Sequence, residues 1–199
     1  TQPRSSAASD VYKRQEKDQL KQRKLKMKIL GIGNAIVDVI CKVEESFIEQ
    51  NNLTKGTMKL IFDDKEFKTM LSNLKIEKTI SGGSVANSIV GLSQLGNKVG
   101  FIGKVSDDEL GSKYEDGLKS ENVEYFYSKK KEELPTGTCL ILVTPDSERT
   151  MCTFLGTAGK INENDVNIEV VKKSEIIFLE GYLWDCLLYT SPSPRDVHL

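Results

Sequence analysis

Short apolar runs alternate along this chain with segments whose apolar residues recur at helical spacing, and nothing else in the sequence constrains the fold as much. KILGIG (28–33), IVDVICKV (36–43), GTMKLIF (56–62), KVGFIG (98–103) and EIIFLEGY (175–182) read as strands. Between them, Asp63 to Glu66 predicts a capping box before Phe67, Leu71 and Leu74 on one helical face. A second helix starts after Gly83, lines up Val85, Ile89 and Leu92 beside Ala86 and Val90, and stops at Gly96. Asp107 and Asp108 cap a third, carrying Leu110, Tyr114 and Leu118, and a short helix falls near 163–173. TGTCLILVT (136–144) and RTMCTFL (149–155) flank Pro145 to Glu148 as a hairpin. Buried strands separated by helices predict an α/β protein, and the extra extended pairs predict a small second sheet.

The corner at Ser81, Gly82 and Gly83 carries most of the chemistry. Paired glycines allow positive φ and a close approach of backbone to ligand. The helix they open, with Ser84 and Asn87 in its first turn, presents free N–H groups. Such a corner suits a polar or phosphorylated small molecule, and equally a hinge. Asn34 and Asp38 follow the first predicted strand, where open α/β sheets bind ligands. A carboxylate with an amide can hold adjacent hydroxyls of a sugar. Taken singly, Asn34 fits an Asx turn and Asp38 a solvated charge; together with Gly82, Gly83 and Asn87, one class of ligand explains both clusters. Arg149, at the far end of the hairpin turn, offers a planar fork of donors to phosphate, or is a surface charge.

Several classes are disfavoured. Gly31, Gly33 and Asn34 invite a dinucleotide-binding reading, but Ile36 stands where the third glycine belongs, and IVDVICKV is β-branched rather than helical. The first 28 residues hold nine of the 28 Lys/Arg but three of the 29 Asp/Glu, leaving 19 basic and 26 acidic groups in the remainder. A body that acidic is a poor nucleic-acid binder. Cys41, Cys139, Cys152 and Cys186 form no CxxC pair and the one histidine is His198, so no metal site is expected. Scattered thiols fit a reducing cytoplasm, Cys139 and Cys152 read as packed strand residues, and no apolar run reaches the roughly 20 residues of a membrane span.

The ends differ from the middle. Residues 1–26 lack apolar periodicity and read as a disordered basic leader. Residues 186–199 contain Ser-Pro-Ser-Pro and no helix to follow. SSAASDVYKRQ and CLLYTSPSPRD resemble translated adapter or vector sequence, which leaves 27–185 as the expected native segment.

GIGNAIVDV (31–39), SGGSVANSIVGLSQLGNKVGFIGKVSDDELG (81–111) and TGTCLILVTPDSERTMCTFLGTA (136–158), in that order, resemble the ribokinase (PfkB) family of carbohydrate and nucleoside kinases. The resemblance implies a ribokinase-like central sheet with helices on both faces and a small β-lid, built mainly from 37–43, 56–62 and part of 123–153. It implies that Asn34, Asp38 and Asn87 bind substrate hydroxyls, that Gly82 and Gly83 hinge the lid, and that Arg149 approaches the transferred phosphate or helps close the site. Ser84, where ribokinases proper tend to carry lysine, points to the adenosine kinase branch, in which Ile36 and Met151 would touch the base. The implied enzyme is a cytoplasmic, monomeric or homodimeric kinase of purine salvage that uses ATP and Mg²⁺ to phosphorylate the 5′-hydroxyl of an adenosine-like nucleoside. A sugar kinase for ribose, fructose or similar is the alternative. Its partners would be small molecules, not nucleic acid or membrane. The family's GAGD-like segment, which carries the catalytic aspartate, is not found between Gly103 and Leu199, and neither Asn122 with Glu124 nor Asn162 with Asp165 makes a credible NxxE element. The expectation is therefore an N-terminal portion, truncated at the C-terminus, with the base beyond residue 185. Such a chain would have no activity of its own, and a non-catalytic ligand-binding fragment is the rival reading.

Overall fold

The computed structural model describes residues 27–181. The leader expected over 1–26 and the tail expected over 186–199, with Asp185, Cys186 and His198, lie outside the described residues.

Four strands build a parallel sheet: β1 (Ile29–Ile32), β5 (Val99–Ile102), β6 (Glu124–Tyr125) and β9 (Ile176–Leu179), in the order β6-β5-β1-β9. Period-two alternation divides β1 between two cores. Ile29 packs with Val99 and Phe101 on one face, whereas Leu30 and Ile32 join Ile102 and Ile161 on the other. The first face is covered by helices α3 (Ser84–Gln94) and α4 (Glu109–Ser120). The second is covered by Val166, Val170 and Val171, from the segment that contains α5 (Ile168–Lys173). Gly31 explains the GIG pattern: a Cβ there would stand 2.5 Å from Ile89 Cγ1, so glycine lets α3 lie close on β1.

The second sheet has five strands. β2 (Ile36–Lys42), β3 (Met58–Leu60), β4 (Ile76–Gly82), β7 (Gly137–Val143) and β8 (Arg149–Phe154) run in the order β3-β8-β7-β2-β4. The β7–β8 hairpin is as expected, with Ser147 at φ 69 in its turn. Strand β4 was not foreseen. Its IEKTIS pattern buries almost nothing, and it exists because β2 offers an antiparallel edge. Helix α1 (Glu45–Gln50) was also missed; it buries one side chain, Ile48. Helix α2 (Asp64–Ser72) starts where expected, but not through a capping box. Asp63 accepts from the Lys65 N–H, whereas Glu66 pairs with Lys59 at 3.1 Å instead of reaching back. Met70, not Leu71, is its second buried apolar residue.

Asp165, set aside above as the acidic end of an NxxE element, has a structural task. It accepts from the Asn162 N–H at 3.0 Å and pairs with the buried Lys104 at 3.0 Å. Those bonds pin a short 3₁₀ turn, Glu163–Asp165, to the end of β5.

Candidate functional site

The chain leaves β1 through Gly33 and Asn34 and enters β2 at Ile36, so Asn34 sits at the carboxyl end of a central parallel strand. Strand β4 returns antiparallel to β2, pairing Gly82 with Ile36, and Gly83 turns the chain into α3 at φ 96. A Cβ on Gly83 would lie 2.4 Å from the Asn34 carbonyl oxygen; one on Gly82 would lie 2.3 Å from an Asp38 carboxylate oxygen. Real Cβ atoms do not approach so closely, so glycine at both positions lets the two clusters meet. Helix α4 holds the corner from behind. The buried Tyr114 hydroxyl donates to the Gly82 carbonyl at 3.2 Å, and the Ser81 hydroxyl donates to the Tyr114 carbonyl at 3.1 Å.

This corner and one face of the five-stranded sheet enclose a hollow of about 290 Å³. Its polar side chains include Asn34, Asp38, Ser84 and Glu180; Ile36, Met58, Leu60, Met151 and Leu155 supply much of an apolar wall. The register explains why distant residues gather there. Asp38 stands opposite Cys139, Cys139 opposite Thr153, and Met151 opposite Met58, all on one face of the pleat.

Asp38 is the electrostatic focus. Burial pushes its carboxyl up from 3.8 to about 6, and no hydrogen bond or ion pair within the described residues satisfies it. Asn34 Oδ1 is buried without a donor. The Ser84 hydroxyl donates to the Glu180 carboxylate just past β9. Cys139 lines the hollow, but burial pushes its thiol up to about 11, so it stays protonated at neutral pH and is no nucleophile.

Of the residues singled out in the sequence, Asn34, Ile36, Asp38, Gly83, Ser84 and Met151 line the hollow, and Gly82 backs Asp38. Asn87 and Arg149 do not line it; both are exposed. Asn87 lies a helical turn beyond Ser84, about 4.5 Å further along the axis. Arg149 shares the face of Met151 but stands two residues, about 7 Å, beyond it. Met58, Leu60, Thr153, Leu155 and Glu180 escaped the sequence reading. Met58 and Leu60 had a usable signal, alternation within an expected strand; Glu180 had none, because only the sheet order brings it beside Ser84.

Among the described residues, no group of three or more His, Cys, Asp or Glu stands close enough to hold a metal ion. None of the hollow's lining residues is a lysine or arginine that could hold phosphate. Among the described residues, the groups that line the hollow are mainly carboxylate, amide, hydroxyl and apolar side chains. No helix among the described residues is long and apolar enough to cross a membrane.

A parallel α/β sheet with a small-molecule hollow at the carboxyl end of a central strand, roofed by a second β-sheet, defines the class. The chain belongs to the pfkB family of carbohydrate kinases, whose model matches residues 27–196. Its fold is similar to that of adenosine kinase from Sinorhizobium meliloti, with 36% identity over 86% of this chain and 50% of that one, at a TM-score of 0.73. A probable sugar kinase from Rhizobium etli CFN 42 is similar at 35% identity, over 80% of this chain and 48% of that one, again at 0.73. The curated 5-dehydro-2-deoxygluconokinase of Mesomycoplasma hyopneumoniae is 27% identical over 128 residues, 63% of this chain and 38% of the relative. The chain thus spans about half the length of these solved proteins and less of the curated relative.

Proposed function

We propose that residues 27–181 form the acceptor-binding part of an ATP-dependent kinase whose acceptor is an adenosine-like nucleoside, phosphorylated on its 5′-hydroxyl. The observation that carries this reading is the hollow's division into two chemistries. At the glycine corner, Asp38 carries a desolvated, unpaired carboxylate and Asn34 a bare acceptor oxygen. Leaving one such acceptor unpaired costs about 1–3 kcal/mol, which hydroxyl donors on a ligand recover. Opposite lie Ile36, Met58, Leu60 and Met151, an apolar wall better suited to a flat base than to a naked sugar.

Asp38 and Asn34 orient the acceptor by its vicinal hydroxyls, and the sheet above excludes water while the reaction proceeds. Gly82 and Gly83 join that sheet to α3 and serve as its hinge. The family match supports kinase chemistry, and the adenosine kinase likeness supports the nucleoside. A sugar kinase is the second reading, favoured by the curated relative and the Rhizobium protein.

Calorimetric titration of the folded chain with adenosine, ribose and fructose tests the choice. Adenosine is expected to bind at least tenfold more tightly than ribose, because the apolar wall contributes about 1.4 kcal/mol or more. Ribose binding as tightly as adenosine would transfer the assignment to the sugar kinases.

A further inference from the structure

Helix α4 holds the strand that carries Asp38 from both sides. Strand β2 lies between β7 and β4, and Ile36 at its start pairs with Gly137 on one and Gly82 on the other. Each neighbour is tied to α4 at that level. The Asp108 carboxylate, at the N-cap of the helix, accepts from the Thr136 N–H at 2.9 Å, one residue before β7 begins. The Tyr114 hydroxyl, from the middle of the helix, donates to the Gly82 carbonyl at the end of β4. The Ser81 hydroxyl returns a bond to the Tyr114 carbonyl, and Gly117 makes room for it, because a Cβ there would collide with Ser81 Oγ. Tyr114 is fully buried, with the rings of Phe101 and Tyr125 packed on it at centroid distances of 6.2 and 6.1 Å. Burial pushes its phenol well above the ordinary range, so the hydroxyl keeps its proton and stays a donor at neutral pH.

We propose that Tyr114 is a positioning residue for the acceptor: its hydroxyl clamps the Gly82 end of β4 and so keeps Asp38 aimed into the hollow. The inference rests on the acceptor-binding reading above and adds to it a residue that lies outside the hollow's lining. Its effect passes through Gly82, against which the Asp38 carboxylate lies so closely that no Cβ fits between them. Gly82 and Gly83 have the freest backbone of the corner, and a bond from a side chain fixed by its ring contacts removes that freedom before a ligand arrives. Without the hydroxyl, the Gly82 carbonyl loses this donor, the corner loosens and water reaches Asp38.

Tyr114→Phe keeps the ring and removes only the hydroxyl. Tyr125→Phe is the control, because its hydroxyl donates to the Gly103 carbonyl at 2.6 Å within the same aromatic cluster but away from the glycine corner. Adenosine and ribose are titrated into each folded 199-residue chain, and the Asp38 carboxyl is titrated without ligand by NMR of its carboxyl carbon. In Tyr114→Phe the tighter of the two ligands is expected to bind about tenfold more weakly. The Asp38 midpoint is expected to fall from about 6 toward the ordinary 3.8 as water enters. Tyr125→Phe is expected to change neither. Should Tyr114→Phe not fold, Ser81→Ala removes the return bond and spares the ring; binding about threefold weaker and a lowered midpoint are then expected. Equal losses of affinity in the Tyr114 and Tyr125 variants, or a lowered melting temperature with the Asp38 midpoint unmoved, would make Tyr114 a packing residue and overturn the proposal. A folded variant with affinity and midpoint both unchanged overturns the clamp and leaves the acceptor site standing. An unaltered chain that binds neither ligand overturns the acceptor reading and, with it, the clamp's role in that site.

Discussion

Asp38 stores a conflict between function and stability. Its carboxyl is partly buried beside Gly82 with no cation paired to it among the described residues, and its pKa rises from 3.8 to about 6. Between those values the unfolded chain has lost the Asp38 proton while the folded chain keeps it, so stability falls as pH rises through that window. The full shift of about two units would be worth roughly 3 kcal/mol; partial solvent access reduces that to about 1–2 kcal/mol. Asp38→Asn is therefore expected to stabilise the chain by about 1–2 kcal/mol at pH 7 and by almost nothing at pH 4, as read by urea denaturation at both. The same substitution is expected to weaken acceptor binding, and in the unaltered chain affinity is expected to decline as pH drops below about 6, where the carboxylate becomes protonated and donates rather than accepts. A variant that is less stable than its parent at pH 7 would contradict the conflict.

Helices and strands position the site through bonds that cross between elements. Asp108 is an N-cap for α4, accepting from Gly111 N–H at 2.7 Å, and it also accepts from the Thr136 N–H at 2.9 Å and the Thr136 hydroxyl at 2.7 Å. One carboxylate thus fastens the helix behind the glycine corner to the entry of β7. The cap was legible, because an acidic pair before Leu110, Tyr114 and Leu118 is a helix start in any context; its second task was not, because Thr136 is 28 residues away. Asp108→Ala is expected to cost about 2–3 kcal/mol, more than an isolated cap, since a buried donor at Thr136 also loses its partner. Thermal melting that shifts no more than for an ordinary exposed substitution would show the second set of bonds to be idle. Strand β4 makes the opposite point. Six of its seven residues are exposed or half-exposed, so neither burial nor periodicity announces it, and pairing with β2 supplies what its own sequence lacks.

At the scale of the whole fold, β9 is the outermost strand of the parallel sheet on one side among the described residues, and its outer edge has no strand partner among them. Ile176, Ile177 and Leu179 are 52%, 43% and 44% exposed on that strand. An open, apolar edge invites pairing with another chain. Sedimentation is expected to show self-association of the 199-residue chain as concentration rises, and Ile177→Lys is expected to shift it toward monomer. A monomer at every concentration would refute this.

The sequence alone determined the elements that carry their own signal: the buried strands β1 and β5, helices α3 and α4 with their caps and apolar stripes, and the β7–β8 hairpin. It also marked Asn34, Asp38 and the glycine pair, because one class of ligand explains both clusters together, although each residue alone fits a turn or a solvated charge. Tertiary structure decided what depends on register and sheet order. It brought Glu180 beside Ser84, set Met58 opposite Met151, and left Asn87 and Arg149 outside the hollow. Local patterns report a residue's own conformation and burial, whereas which residues from separate strands share one wall is fixed only when the sheets assemble.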